Sequence, residues 1–95
     1  MKEQNYIVRA DRAGVFFGKI KECNGSEVTM TDVRRIWYWD GAASLSQLAV
    51  EGTKKPKDCK FTIYVPEMII LGVIEIIPCT AEAESSINGV PEWRA

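Results

Sequence analysis

"GVFFGKIKECNGSEVTMTD", residues 14–32, decides the fold. At its centre, Asn24-Gly25 is the strongest short-range hairpin signal, because both positions tolerate positive φ. Val15 to Glu22 before it is β-branched and aromatic with partial alternation, and a return strand starts at Glu27. Val28 and Met30 share one face, whereas Val33 falls on the opposite parity together with Arg35, Trp37 and Trp39. A straight strand cannot change its buried face, so a bulge or sharp bend is predicted near Thr31-Asp32. Gly14 and Gly18 permit the curvature that two long, bent, hairpin-joined strands need.

Upstream, Tyr6 to Ala10 reads as a short strand and Asp11 to Gly14 as a turn. Downstream, Ser44 and Gln47 form an S-x-x-Q capping box. Leu45, Leu48 and Ala49 supply one apolar stripe of a short helix, which Gly52 stops. A basic, turn-rich loop covers residues 52–58. Cys59 to Val65 is predicted as a strand with Phe61, Ile63 and Val65 on one face, followed by a break at Pro66-Glu67. Met68 to Ile77 is apolar on both faces and reads as one strand, buried in a barrel or at an oligomer seam. Thr80 caps a final helix whose first turn carries Glu82 and Glu84, favourable against the helix dipole. Asn88-Gly89 ends it, and residues 90–93 form an extended tail. The expectation is a mainly β, single domain over residues 1–95. It is a five-stranded, bent, partly open barrel of the SH3-like or Sm-like kind, with one short inserted helix and a C-terminal helix.

Ninety-five residues bury only about 60–65% of the unfolded surface, so self-association is an expected source of stability. The formal charge is −1, which argues against duplex nucleic acid as a partner. The charge is uneven: residues 1–60 carry eleven basic against eight acidic side chains, and residues 61–95 carry one against five. The first part can therefore attract a small anion. With no histidine, Ser-His-Asp and Cys-His nucleophile systems and the commonest metal ligand are excluded. Cys23, Cys59 and Cys79 form no C-x-x-C pair and fit a reduced, cytosolic compartment as small buried hydrophobes or inert thiols. The opening residues MKEQNY show no apolar leader, and the longest apolar run is about half of what a membrane helix needs. The reading is of no catalytic residues, no metal and no cofactor. Glu75 reads as an edge or interface charge.

The costliest side chains gather in "RRIWYWDGAASLSQ", residues 34–47. In a regular strand Arg35, Trp37 and Trp39 lie on one face, and Arg34, Ile36 and Tyr38 on the other. Three aromatics pointing both ways cannot all fill so small a core, so at least one reaches a surface, a pocket or a second subunit. A guanidinium beside an aromatic platform suits a planar base bearing phosphate. Candidate ligand residues are Arg34 and Arg35 for phosphate, Trp37, Tyr38 and Trp39 for stacking, and Ser44 at the helix start for hydrogen bonds. Arg12 and Phe16 or Phe17 stand behind them. Lys54, Lys55 and Lys57 read as a solvated loop.

The words RRIWYWDGAASLSQLA at 34–49, GTKKPKDCKF at 52–61, EIIPCT at 75–80 and VPEW at 90–93 resemble a family of small uncharacterised bacteriophage and prophage proteins. That resemblance implies an accessory phage protein made in the host bacterial cytoplasm. By class, the chain also resembles phage anti-defence "sponges": small, homo-oligomeric, non-catalytic proteins that sequester cyclic nucleotide or cyclic ADP-ribose immune signals with arginines and aromatics. The expected function is such a sponge. The alternatives are a protein-binding inhibitor of a host or defence effector, a single-stranded nucleic-acid binder and a virion component.

Overall fold

A computed structural model describes residues 4–95; the first three residues of the segment read above for a leader lie outside them. Six antiparallel strands form one bent sheet: β1 (Asn5–Ala10), β2 (Gly14–Asn24), β3 (Glu27–Tyr38), β4 (Lys60–Phe61), β5 (Val65–Ile70) and β6 (Val73–Pro78). Helix α1 (Leu45–Glu51) is inserted between β3 and β4, and α2 (Ala81–Asn88) follows β6. The order is β4-β3-β2-β1-β6, and β5 also pairs with β3. This is the expected partly open, mainly β architecture, with six strands in place of five because the last expected strand is split into β5 and β6.

The bend falls where the parity switch places it. Asp32 has φ 48, and the β2–β3 register shifts between Phe17 and Lys19. Gly18 faces this irregularity so closely that a Cβ there would lie 2.8 Å from the Val33 Cα. As a result Val28, Met30 and Val33 all enter one core despite their opposite parity. Gly25, at the hairpin tip, has φ 59.

The sheet is covered on both faces. Inside the barrel, Tyr6, Val8, Ala10 and Phe16 meet Val28, Met30, Val33 and Ile70. On the outer face, Ile7, Phe17, Ile36 and Phe61 pack under Leu48 and Ala49 of α1 and Ala83 and Ile87 of α2. This explains why Tyr6, Ile7 and Val8 of β1 are buried in succession: its alternate residues feed two cores. Both helices carry the predicted caps. Ser44 Oγ accepts from the Gln47 N–H at 3.1 Å, and Thr80 Oγ1 from the Ala83 N–H at 3.1 Å. Gly52, at φ 76, terminates α1.

Three expectations are corrected. Met68 to Ile77 is not one strand: Gly72, at φ 74, turns the chain between β5 and β6. The predicted strand over Cys59 to Val65 shrinks to β4, and Pro66 lies inside β5 rather than breaking the chain before it. Pro is tolerated because β5 pairs only with β3 and has a free edge among the described residues. Cys23 is exposed, whereas Cys59 and Cys79 are buried. No helix of the described residues is long and apolar enough to cross a membrane.

Candidate functional site

The adjacent arginines of β3 have opposite fates. Arg34 shares its sheet face with its register partner Phe17 and points into the outer core, where it is fully buried. Its Nε donates to the Thr62 carbonyl at 3.0 Å and its Nη2 to the Phe61 carbonyl at 3.2 Å. Its Nη1 reaches the carbonyls of Ile87 and Val90, at 3.0 and 3.1 Å, and the Tyr64 hydroxyl at 3.3 Å. Ile87 and Val90 bracket the end of α2, where carbonyls lack helical partners and the dipole is negative. Arg34 is thus a clamp between β3, the segment after β4 and the end of α2. Its donors are spent on main-chain oxygens and a phenol, which leaves it out of any ligand site.

Arg35 shares the barrel face of the sheet with its register partner Phe16 and stands at the barrel mouth. Its guanidinium carbon lies 4.9 Å from the centroid of the Phe16 ring, a cation–π arrangement. Its Nε is buried without a hydrogen-bond partner. A buried charged donor with no acceptor is costly, on the order of 1–3 kcal/mol or more. Among the described residues, Arg35 and Arg12 make no ion pair, although four other ion pairs form, such as Arg9–Glu75 at 2.9 Å. Arg12 sits exposed in the β1–β2 turn, which the Asp11 N–H ties to the Gly72 carbonyl at 2.8 Å.

Two clefts meet at these arginines. The larger, about 680 Å³, is walled by Asp11, Phe16 and the Met68–Gly72 turn region. The smaller, about 400 Å³, is walled by Val15, Ile36, Trp37 and Trp39. Arg12, Ala13 and Arg35 line both, so the two are lobes of one groove with guanidiniums at the waist. Each lobe falls within the usual range of small-molecule sites, roughly 300–1,000 Å³.

The structure therefore brings together Arg12, Arg35, Trp37 and Trp39 from the residues proposed on sequence. Trp37 is 62% exposed and stacks on Trp93, ring centroids 6.0 Å apart. Trp39 is half-buried, its Nε1 donating to the Ala42 carbonyl at 3.2 Å. Tyr38 is exposed and lines neither lobe. Ser44 is occupied as the α1 cap and also lies outside the groove. Phe17 is buried in the outer core, and Phe16 takes the place beneath the arginine. The Met68–Gly72 wall was missed on sequence. Its one signal is Gly72, the glycine that interrupts the apolar run.

A bent, partly open barrel with helices on its outer face and a groove lined by two arginines at its mouth defines the class: a small, mainly β protein with short helices. The chain belongs to the family described as Domain of unknown function (DUF6948), which matches residues 3–87. No curated protein and no solved structure matches it.

Proposed function

We propose that this chain is a non-catalytic capture protein that holds a cyclic nucleotide-type immune signal in the Arg12–Arg35 groove. In the full reading it is a phage-encoded anti-defence protein acting as a homo-oligomer in the host bacterial cytoplasm. The observation that carries the ligand class is Arg35, a guanidinium braced on Phe16 with a buried Nε that lacks an acceptor. A phosphate in the groove neutralises the charge at the atoms of Arg35 that line it, and a small shift of the side chain lets the buried Nε pair as well. The phage context rests on the sequence resemblance alone. Self-association is supported, on the side of the sheet where β5 and β6 lie, by Ile74 and Ile76, which are 56% and 38% exposed on β6. Both strands have one unpaired edge among the described residues, a template for a further strand.

A second reading, an inhibitor that grips a host or defence protein, is favoured by the exposed Trp37–Trp93 stack with Lys60 5.5 Å from the Trp93 ring centroid. Exposed aromatics of this kind act as interface anchors.

Thermal-shift and calorimetric titration of the purified protein against cyclic mono-, di- and trinucleotides and cyclic ADP-ribose isomers tests the proposal, with the released ligand weighed by mass spectrometry. A bound ligand released intact, whose binding Arg35→Ala abolishes without unfolding the protein, supports it. A chemically altered product, or binding unchanged by Arg35→Ala, overturns it. No ligand in the panel, together with a host protein held through Trp37, moves the assignment to the inhibitor.

A further inference from the structure

The groove has two lobes, and a one-base ligand uses only one of them. Resting on the nucleotide reading above, we infer that the ligand is a cyclic dinucleotide, lying with one base in each lobe and its two phosphodiesters at the Arg12–Arg35 waist.

Three features carry this. The first is the division of the walls. The larger lobe offers an aliphatic surface, in which Ile69 and Leu71 are 60% and 64% exposed, and the smaller offers the Trp37 indole, 62% exposed. Both are apolar surfaces partly exposed to solvent; the indole, which also stacks on Trp93, offers a base aromatic stacking, and the aliphatic wall offers it apolar contact. The second is the position of charge. The cations shared by the lobes are Arg12 and Arg35, so positive charge concentrates between the apolar walls and not at either end. A cyclic dinucleotide has the same pattern, with bases at two ends and one negative charge on each of two central phosphodiesters. A cyclic mononucleotide carries one base and one charge, and cyclic ADP-ribose carries one base, so either leaves an apolar wall unfilled. The third is Asp11, an acidic residue that lines the larger lobe and not the smaller. It disfavours a phosphate there and leaves that lobe to a base, whose ring N–H or amino group a carboxylate can accept from.

The test is calorimetric titration of the full chain with cyclic di-AMP and cyclic di-GMP, the 3′,5′-cyclic mononucleotides of the same bases, and cyclic ADP-ribose, at one fixed salt concentration. The expected result is that a cyclic dinucleotide binds at least tenfold more tightly than its cyclic mononucleotide and than cyclic ADP-ribose. Trp37→Ala and Leu71→Ala, each at an exposed position, serve as separate lobe variants. Each is expected to weaken the dinucleotide at least fivefold while its thermal midpoint stays close to that of the parent. A mononucleotide or cyclic ADP-ribose within tenfold of the dinucleotides, or a dinucleotide indifferent to both lobe variants, overturns the two-base assignment and leaves the nucleotide reading standing. Absence of binding by every nucleotide here and by the cyclic trinucleotides overturns the nucleotide reading itself.

Discussion

Arg34 Nη1 donates to the Ile87 carbonyl at 3.0 Å across 53 residues of sequence, so a strand of the barrel holds the end of the C-terminal helix through one guanidinium. No carboxylate shares this contact; the acceptors are the carbonyls of Phe61, Thr62, Ile87 and Val90 and the Tyr64 hydroxyl. The guanidinium plane also lies against the Phe61 and Tyr64 rings, 5.5 and 4.6 Å from their centroids. The charge is thus solvated by the main chain and π-faces.

Removing it takes the donor from the Thr62 and Val90 carbonyls, whereas those of Phe61 and Ile87 keep the Trp93 and Val90 N–H groups. Arg34→Met is expected to destabilise the fold by about 2–6 kcal/mol, for two buried acceptors left unpaired at about 1–3 kcal/mol each. Arg34→Lys falls between Met and the parent, because a lysine cannot reproduce the planar fork. Urea unfolding followed by tryptophan fluorescence measures both. A loss below about 1 kcal/mol in Arg34→Met would show that the clamp is not structural.

Arg35 behaves in the opposite sense. Its Nε has no partner, so Arg35→Met keeps an apolar contact with Phe16 and removes an unsatisfied donor. The variant is expected to unfold at an equal or higher urea concentration than the parent while losing anion binding, a trade of stability against function. A clear drop in its unfolding midpoint would mean that the guanidinium is satisfied in solution and is not held ready for a ligand.

The exposed isoleucines of β6 give a third expectation. Ile74 and Ile76 contribute to neither core, so the double variant Ile74→Glu, Ile76→Glu is expected to retain the fold of the single chain. Sedimentation velocity should show an assembly for the parent and a monomer for the variant. A parent that sediments as a monomer at all concentrations rules out this seam.

The Cys79 thiol is pushed from 9.0 up to about 12, by burial first and by the nearby Glu84 charge second. A thiol whose pKa is higher folded than unfolded favours the fold fully below pH 9. Above that pH the unfolded chain ionises first, and this contribution falls as pH rises towards 12. Replacing Cys79 with Ala should therefore flatten the stability decline between pH 9 and 12. In native protein at pH 8, a thiol reagent should modify the exposed Cys23 well ahead of Cys79.

How far the sequence foretells these features depends on the range of the contacts involved. The bend at Asp32 was legible because it forces a parity switch between Met30 and Val33, a signal contained within three residues. The helix caps at Ser44 and Thr80 were legible for the same reason, since each acts on an N–H three residues on. The alternation also put Arg34 and Arg35 on opposite faces. It could not tell which one would be buried, because both faces of this sheet are covered, one by the barrel core and one by the helices. The deciding contacts come from Thr62, Ile87 and Val90, which no local pattern connects to β3. The β5–β6 turn was hidden differently. Isoleucines on both faces mimic a continuous buried strand, and Gly72 was the one residue that spoke against it.

The pairing of one satisfied and one unsatisfied arginine at adjacent positions also fixes the alignment of β3 itself. A strand of this kind can slide by one residue at small cost when its two faces are equally apolar, as those of β3 nearly are with Val33 inside and Ile36 outside. Here a one-residue slide would carry Arg34 into the barrel beside Phe16, turn Val33 outward, and take Arg34 away from its acceptors at the end of α2. Arg34 therefore acts as a registration pin. Its single correct slot holds Arg35 and Trp37 in the groove, and a one-residue insertion between Arg34 and Arg35 would turn both out of it without altering a single groove residue.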